Sequence, residues 1–211
     1  MEFEKDRRDY IGDIIDIKNN DDPILEIKRW YQLAKEENVP DPDAMTLSTI
    51  SKDGFPESRV VLLRQINSDS LIFFTNYNSQ KGQEIINNDK TALNFYWKEI
   101  DRQIRITGIA LKVSDEVSDN YFATRPRASQ IGAWASNQSQ PLDSYDELHN
   151  KVQQLNNDFD GKDIPRPKHW GGFKVYPRKI EFWQGQPSRL HHRIRFDLTS
   201  KQEWIRCLLN P

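Results

Sequence analysis

The sequence predicts a mainly β fold of α+β character, a barrel with helices inserted between its early and late strands. Two observations predict it. Between residues 44 and 113, runs rich in Val, Ile, Phe, Thr and Tyr follow one another with short turns between most of them. That is the pattern of an antiparallel meander, closed or nearly closed on itself. Residues 114–157 then switch to helical spacing before strand-like runs resume. A length of 211 residues suits one large domain or two small ones. The organisation predicts one, over residues 21–211, preceded by a highly charged mobile arm at 1–20.

The elements follow in order. Asp22-Pro23 reads as an N-cap with proline at the first helical position. Ile24, Ile27, Tyr31 and Ala34 continue at helical spacing to about Glu37, and Val39-Pro40-Asp41-Pro42 ends the helix. Met45–Ser51 is a strand leading into the turn Lys52-Asp53-Gly54. Arg59–Ile66, Leu71–Asn76, Thr91–Trp97 and Ile104–Val113 are further strands, interrupted by a helix-like Gln80–Asn88. Val117, Tyr121 and Phe122 share a helical face that Arg125-Pro126-Arg127 breaks. A short helix follows at Ala128–Ser136, and a longer one carries Tyr145, Leu148, Val152 and Leu155. After Pro165 and Pro167, Trp170–Tyr176, Lys179–Gln184 and His191–Leu198 read as three late strands.

Composition excludes several classes. Thirty basic and 32 acidic residues give a net charge of -2, which argues against a polybasic nucleic-acid binder. One cysteine, Cys207, cannot form an intrachain disulfide, and no Cys/His group has zinc-site spacing, so no metal is expected. The charged N-terminus lacks an apolar signal region, and no run approaches a membrane span. The chain reads as cytoplasmic, without a membrane. Only 36% of residues are apolar and the mean hydropathy is -0.83. Such a lean core invites a cofactor or a partner surface.

Three polar clusters stand out. Arg189, His191, Arg193 and Arg195 would share one face of a strand. Such a face attracts a phosphate, whose geometry suits arginine forks, or else pairs with carboxylates as an ordinary solvated face. Arg59 and Arg64 bracket an apolar strand and point to opposite faces, either at a ligand on the barrel rim or as plain edge arginines. Tyr121 and Arg125 lie one helical turn apart with Ser129 a turn beyond, either a phosphate cradle or a capped helix end. Gln103, Gln138 and Ser139 carry groups suited to a heterocycle edge, and Trp183 ends a strand. No nucleotide-binding glycine loop, nucleophile elbow or zinc-helix motif is present, so redox chemistry here requires an organic cofactor.

At these residues the sequence resembles the pyridoxine/pyridoxamine 5′-phosphate oxidase family. The resemblance rests on Arg59-Val-Val-Leu-Leu-Arg64, on Tyr121-Phe-Ala-Thr-Arg-Pro-Arg-Ala-Ser129-Gln-Ile-Gly-Ala-Trp134, on Trp170-Gly-Gly172, and on Ile180-Glu-Phe-Trp-Gln-Gly185 followed by Arg189-Leu-His191. Order and spacing agree from about Arg7 to the C-terminus. The resemblance implies an FMN-binding split β-barrel working as a homodimer, with FMN between subunits. It implies oxidation of pyridoxamine or pyridoxine 5′-phosphate to pyridoxal 5′-phosphate, with oxygen as acceptor and hydrogen peroxide as product. It assigns Arg59, Val60, Leu62, Arg64, Phe74, Thr75, Ser79, Lys81, Gln103, Gln138, Ser139, Trp183 and Arg193 to FMN. It assigns Arg64, Tyr121, Arg125 and Ser129 to the substrate phosphate, and Arg189 and His191 to the substrate ring as catalytic residues. Arg7 and Tyr10 match an N-terminal lid, and Asp41 an acidic position near the site.

The sequence also departs from the family pattern. Arg64 stands where lysine is usual, Gln80 where an arginine contacts the FMN phosphate, and Phe74 where tyrosine is frequent. The C-terminal Arg-Leu-Ala/Ser-Pro appears as Leu208-Leu209-Asn210-Pro211. Three rival readings remain: a split-barrel flavoprotein for another substrate, a carrier that binds FMN or pyridoxal phosphate without turnover, and a nucleic-acid-binding barrel.

Overall fold

The computed structural model describes residues 10, 12, 14–18 and 21–211. Helix α1 (Pro23–Glu36) starts where Asp22 Oδ1 accepts the Ile24 N–H at 2.8 Å, with proline in the first turn. Its apolar face, Ile24, Ile27, Trp30 and Ala34, is buried in the main core, and Trp30 meets Phe182 edge-on at 5.1 Å. Strands β1 (Ala44–Ile50) and β2 (Pro56–Leu62) form a hairpin in register from Ala44↔Leu62 to Ile50↔Pro56. Gly54 supplies the turn's positive φ of 85°.

Strands β3 (Gln65–Ile66) and β4 (Leu71–Asn76) precede helix α2 (Gln80–Asn87). The long strands β5 (Lys90–Trp97) and β6 (Arg102–Lys112) follow. Helices α3 (Asp115–Ala123), α4 (Arg127–Ala135) and α5 (Tyr145–Asp158) form the insert. Strands β7 (Trp170–Gln184), β8 (His192–Leu198) and β9 (Trp204–Leu209) close the chain.

The ladder path runs β2-β1-β5-β6-β7-β4-β3, all antiparallel, with β8 and β9 added from β7. Among the described residues no ladder joins β2 to β4 or β3, so the curled sheet is split along that seam. The predicted fold class, β-rich with inserted helices and a barrel open on one side, is the one observed. A core of Leu47, Phe73, Phe95, Ile104, Ile106, Phe173, Val175, Phe182 and Phe196 fills the interior. A second cluster, Phe122, Ile131, Ile164 and Trp170, seats the helical insert on the sheet.

Four elements differ from the sequence reading. The run Arg59–Ile66 is two strands, because β2 pairs with β1 while β3 pairs with β4 and the chain changes partner at Leu63-Arg64. The two strands Trp170–Tyr176 and Lys179–Gln184 are one. Pro177 lies opposite Gly108 where the β6–β7 register already shifts, so its missing N–H interrupts a ladder that is irregular there. Strand β9 has no counterpart among the strands the sequence predicts. Finally, β8 begins at His192; Pro187–Arg189 form a 3-10 turn in which Ser188 (φ 56°) and Arg189 (φ 62°) are left-handed. Arg189 and His191 therefore share no strand face with Arg193 and Arg195.

A Cβ at Gly108 would meet the Tyr176 carbonyl, which the facing strand cannot move aside. Gly108→Ala is expected to destabilise the protein by about 1–3 kcal/mol, read from the urea midpoint at an unchanged m-value.

Candidate active site

The split in the barrel is lined by Val60, Leu62 and Arg64 from the β2 side, Phe74 and Thr75 of β4, Tyr121 and Arg125 at the end of α3, Gln138, and Trp170. The cavity measures about 300 Å³. Phe74 stacks on Tyr121 (3.9 Å, 14°) and lies near parallel to Trp170 (5.5 Å, 9°). The Arg125 guanidinium sits 4.4 Å from the Trp170 ring centroid. Its Nη1 is buried without a hydrogen-bond partner. Burial lowers the Arg125 pKa and the nearby Arg64 charge adds to that, against an opposing effect of Tyr121. Among the described residues no carboxylate lines this cavity, so two guanidinium groups face it without a counter-charge from the residues that line it. An anion is what such a wall accommodates.

A second cationic group lies at the start of α2. Ser79 caps that helix, and Lys81 is 8% exposed with Nζ 3.4 Å from Ser79 Oγ. Arg59 enters from β2, donates to the Thr49 hydroxyl and pairs with Glu84 Oε2 at 3.1 Å. Thr49 donates to the same carboxylate oxygen at 2.5 Å, and Gln80 Nε2 donates to Oε1 at 2.9 Å. Burial and then the Arg59 charge lower the Lys81 pKa. Burial pushes Glu84 upward, yet the bonds from Thr49 and Gln80 and the Arg59 charge outweigh it, so its carboxyl is held below the ordinary value. Two cations, one carboxylate and a helix N-terminus leave this corner net positive.

The third group lies at the far end of β7. Trp183, His191 and Tyr10 pack together, with centroids 4.7 Å (Trp183–His191), 5.1 Å (Tyr10–His191) and 5.6 Å (Tyr10–Trp183) apart. The Gln186 backbone N–H donates to His191 Nδ1 at 3.1 Å. Burial lowers the His191 pKa, and an Nδ1 that accepts from Gln186 puts the neutral ring's proton on Nε2. Gln103, Trp183 and Arg193 form one cross-strand row over β6, β7 and β8. Arg193 is held by Glu181 at 2.8 Å and Arg195 by Asp197 at 2.7 Å. These two arginines of β8 are thus paired with carboxylates, the second of the two readings the sequence left open for that face.

Residues 34–157 match the family model described as pyridoxamine 5′-phosphate oxidase, and residues 170–211 match that of the pyridoxine 5′-phosphate oxidase C-terminal dimerisation region. The pyridoxine/pyridoxamine 5′-phosphate oxidase of Nostoc sp. strain PCC 7120 is 43% identical over 97% of this chain and 96% of its own. That of Cupriavidus necator is 45% identical over 97% of each. This chain belongs to the pyridoxine/pyridoxamine 5′-phosphate oxidase family. Among solved structures, PhzG from Burkholderia lata, in complex with tetrahydrophenazine-1-carboxylic acid, matches with a TM-score of 0.89 at 30% identity over 95% of this chain and 99% of that one. An FMN-binding protein of Nostoc punctiforme shares the fold, with a TM-score of 0.71 at 16% identity over 90% of this chain and 98% of that one.

For this family member the structure brings the sequence-selected residues into three groups. Val60, Leu62, Arg64, Phe74, Thr75, Tyr121, Arg125 and Gln138 meet at the split. Arg59, Ser79 and Lys81 meet at α2. Tyr10, Gln103, Trp183, His191 and Arg193 lie around the β7 end, with Arg189 exposed in the adjoining turn. Ser129 lies on α4 but does not line the split, and Ser139, left-handed at φ 70°, borders separate neighbouring clefts. Arg7 lies outside the described residues. Sequence reasoning missed Glu84, Thr49 and Trp170 as members of these groups. Glu84 had no signal linking it to Arg59, 25 positions away, whereas Trp170 opened a quoted motif and went unassigned.

Glu84→Gln is expected to cost about 1–2 kcal/mol at pH 7. Because the folded carboxyl is depressed, that margin is fully present above the ordinary value of 4.5 and fades as pH falls below it. Urea midpoints of the two proteins across pH 3.5–7, chosen as a span of roughly one unit below that value to neutrality, will converge at the acid end.

Proposed function

We propose that this chain is an FMN-dependent oxidase that converts pyridoxamine or pyridoxine 5′-phosphate to pyridoxal 5′-phosphate. Oxygen accepts the electrons and becomes hydrogen peroxide, and an amine substrate consumes water and releases ammonia. The single observation that carries the reading is the split itself, where Arg125 presents a buried Nη1 with no partner beside Arg64 and Tyr121. A phosphate ester satisfies that donor set. Family membership names a substrate that carries one.

The residues present also fit FMN. The Ser79–Lys81 start of α2 with Arg59 suits its phosphate, since Lys81 is desolvated and shares the Glu84 carboxylate with Arg59. Gln80, turned to Glu84, adds no charge there. Phe74, Thr75, Val60, Leu62 and Gln138 suit the remainder of the molecule. Held there, FMN would supply the two-electron acceptor between the substrate carbon and oxygen.

The chain's own residues do the rest. Arg64, Tyr121 and Arg125 grip the substrate phosphate and so spend remote binding energy on holding the reacting carbon in place. His191 holds a proton on Nε2, because Gln186 occupies Nδ1, and Arg189 provides a cation beside it. Trp183 and Tyr10 exclude water around that ring.

The split and the β7 end are separate in one protomer. Along the sheet β2 and β6 are parted by β1 and β5, about 14 Å at the usual strand spacing. A homodimer whose subunits each contribute one end is the arrangement this separation supports, and the match to a dimerisation region over 170–211 agrees with it. The described residues of the N-terminal segment serve as an arm and lid: Tyr10 rests on His191, Gly12 O accepts from Gln186 Nε2 at 3.1 Å, and Ile17 is anchored in the main core.

The purified chain is expected to be yellow and to consume oxygen with pyridoxamine 5′-phosphate. Colour without oxygen uptake would indicate a carrier, and uptake only with a phosphate-free carboxylated ring would favour chemistry like that of the PhzG neighbour. Arg189→Ala and His191→Ala should each lower kcat/KM by at least about tenfold while FMN stays bound. Near-normal turnover in both would remove these residues from the site.

A further inference from the structure

Arg64 has a companion outside the cavity. Its Nη1 donates to Asp43 Oδ2 at 2.8 Å. Asp43 stands immediately before β1 and Arg64 just after β2, and the last rung of that hairpin is Ala44↔Leu62. Two backbone bonds fix the pair: Leu63 N–H donates to the Asp43 carbonyl and Arg64 N–H to the Ile72 carbonyl, each at 2.8 Å. Asp43 itself does not line the cavity.

This placement answers a physical difficulty. Arg64 and Arg125 are like charges facing one cavity, and Arg125 is fixed by its burial against Trp170. Repulsion drives the freer of the two, Arg64, toward water. Asp43 opposes that drift from outside the wall. A guanidinium can serve both masters, because its donors form a planar fork: one nitrogen holds Asp43 while the rest of the fork addresses an anion. An ammonium is a point charge on a flexible stem and divides itself less well.

We propose that Asp43 is a positioning residue that, acting through Arg64, sets the affinity of the split for a phosphorylated substrate. The inference rests on the reading of that cavity as the substrate-phosphate site. In the FMN-loaded enzyme, Asp43→Ala should raise KM for pyridoxamine 5′-phosphate, and the inhibition constant of inorganic phosphate, by about three- to fivefold, the range of a partly exposed ion pair. The value of kcat should stay within about twofold. Asp43→Asn keeps an oxygen acceptor and the backbone bond to Leu63, and should recover part of the loss. In an Arg64→Ala background, Asp43→Ala should change neither constant further.

An unchanged or lowered KM in Asp43→Ala, or an equal rise in the Arg64→Ala background, overturns the proposal. Failure of the underlying reading looks different. In that case the unsubstituted enzyme itself turns over phosphate-free pyridoxamine as efficiently as its phosphate and is indifferent to inorganic phosphate. Bound FMN absorbance and the thermal midpoint, read on every variant, separate these outcomes from a loss of fold.

Discussion

Strand β7 offers one edge to two different partners. Its first half, Trp170–Val175, pairs with β4, and its second half, Lys179–Gln184, pairs with β8, while the opposite edge keeps β6 for nearly its whole length. The change of partner coincides with Pro177 and the register shift opposite Gly108. Every backbone donor and acceptor of a buried strand needs a partner, so this division dictates where the sheet curls and where it extends. The first half draws β4 round toward β2 and stops short of closing, which creates the split. The second half carries β8 and β9 away from it. Both ends of the proposed chemistry are therefore positioned by one strand.

The electrostatic design repeats itself at two places. At the start of α2, Arg59 reaches Glu84 while Lys81 stays desolvated nearby. At the split, Arg64 reaches Asp43 while Arg125 is left with a buried nitrogen unsatisfied. In each pair one cation is neutralised from behind and its neighbour is not. Removing the carboxylates would leave like charges crowded together. Doubling them would erase the attraction for an anion. The intermediate arrangement limits the crowding of like charges and still favours an anion. The β8 arginines follow the ordinary pattern, each paired with a carboxylate: Arg193 with Glu181, which Arg105 also reaches, and Arg195 with Asp197.

Local grammar was readable wherever the determinant lay within a few residues. The Asp22-Pro23 cap, the Gly54 turn and the break at Arg125-Pro126 are local signals, and the structure has the corresponding helix start, hairpin and helix boundary. The whole barrel with its helical insert was legible in the alternation of strand-rich and helix-spaced stretches. What escaped depended on partners far along the chain. Pro177 reads as a break unless the shifted register opposite it is known. The strand Arg59–Ile66 reads as continuous unless β1 and β4 are seen to claim different parts of it. Arg189 and His191 look like alternate residues of a strand, yet the Pro187–Arg189 turn removes them from it. Among candidate site residues, the Tyr121–Arg125 adjacency is a matter of helical pitch and was visible. The Arg59–Glu84 and Arg64–Asp43 pairs join separate elements, and no spacing in the sequence encodes them.

The docking of the N-terminal residues imposes an order on biosynthesis. The Gly12 carbonyl and the Gln186 side chain that binds it are 174 positions apart, and Tyr10 rests on Trp183 and His191. A ribosome releases the first of these residues long before it makes the last. Helix α1 and the β1–β2 hairpin can form early from neighbouring residues, but the seat for Tyr10 does not exist until Trp183 and His191 have been made. Contacts of such wide separation close late and slowly. A prematurely terminated chain ending in the helical insert would keep the early hairpin and lack both β7 and the aromatic pocket. The His191 surroundings are thus completed only once β7 has been made, well after the early hairpin can form.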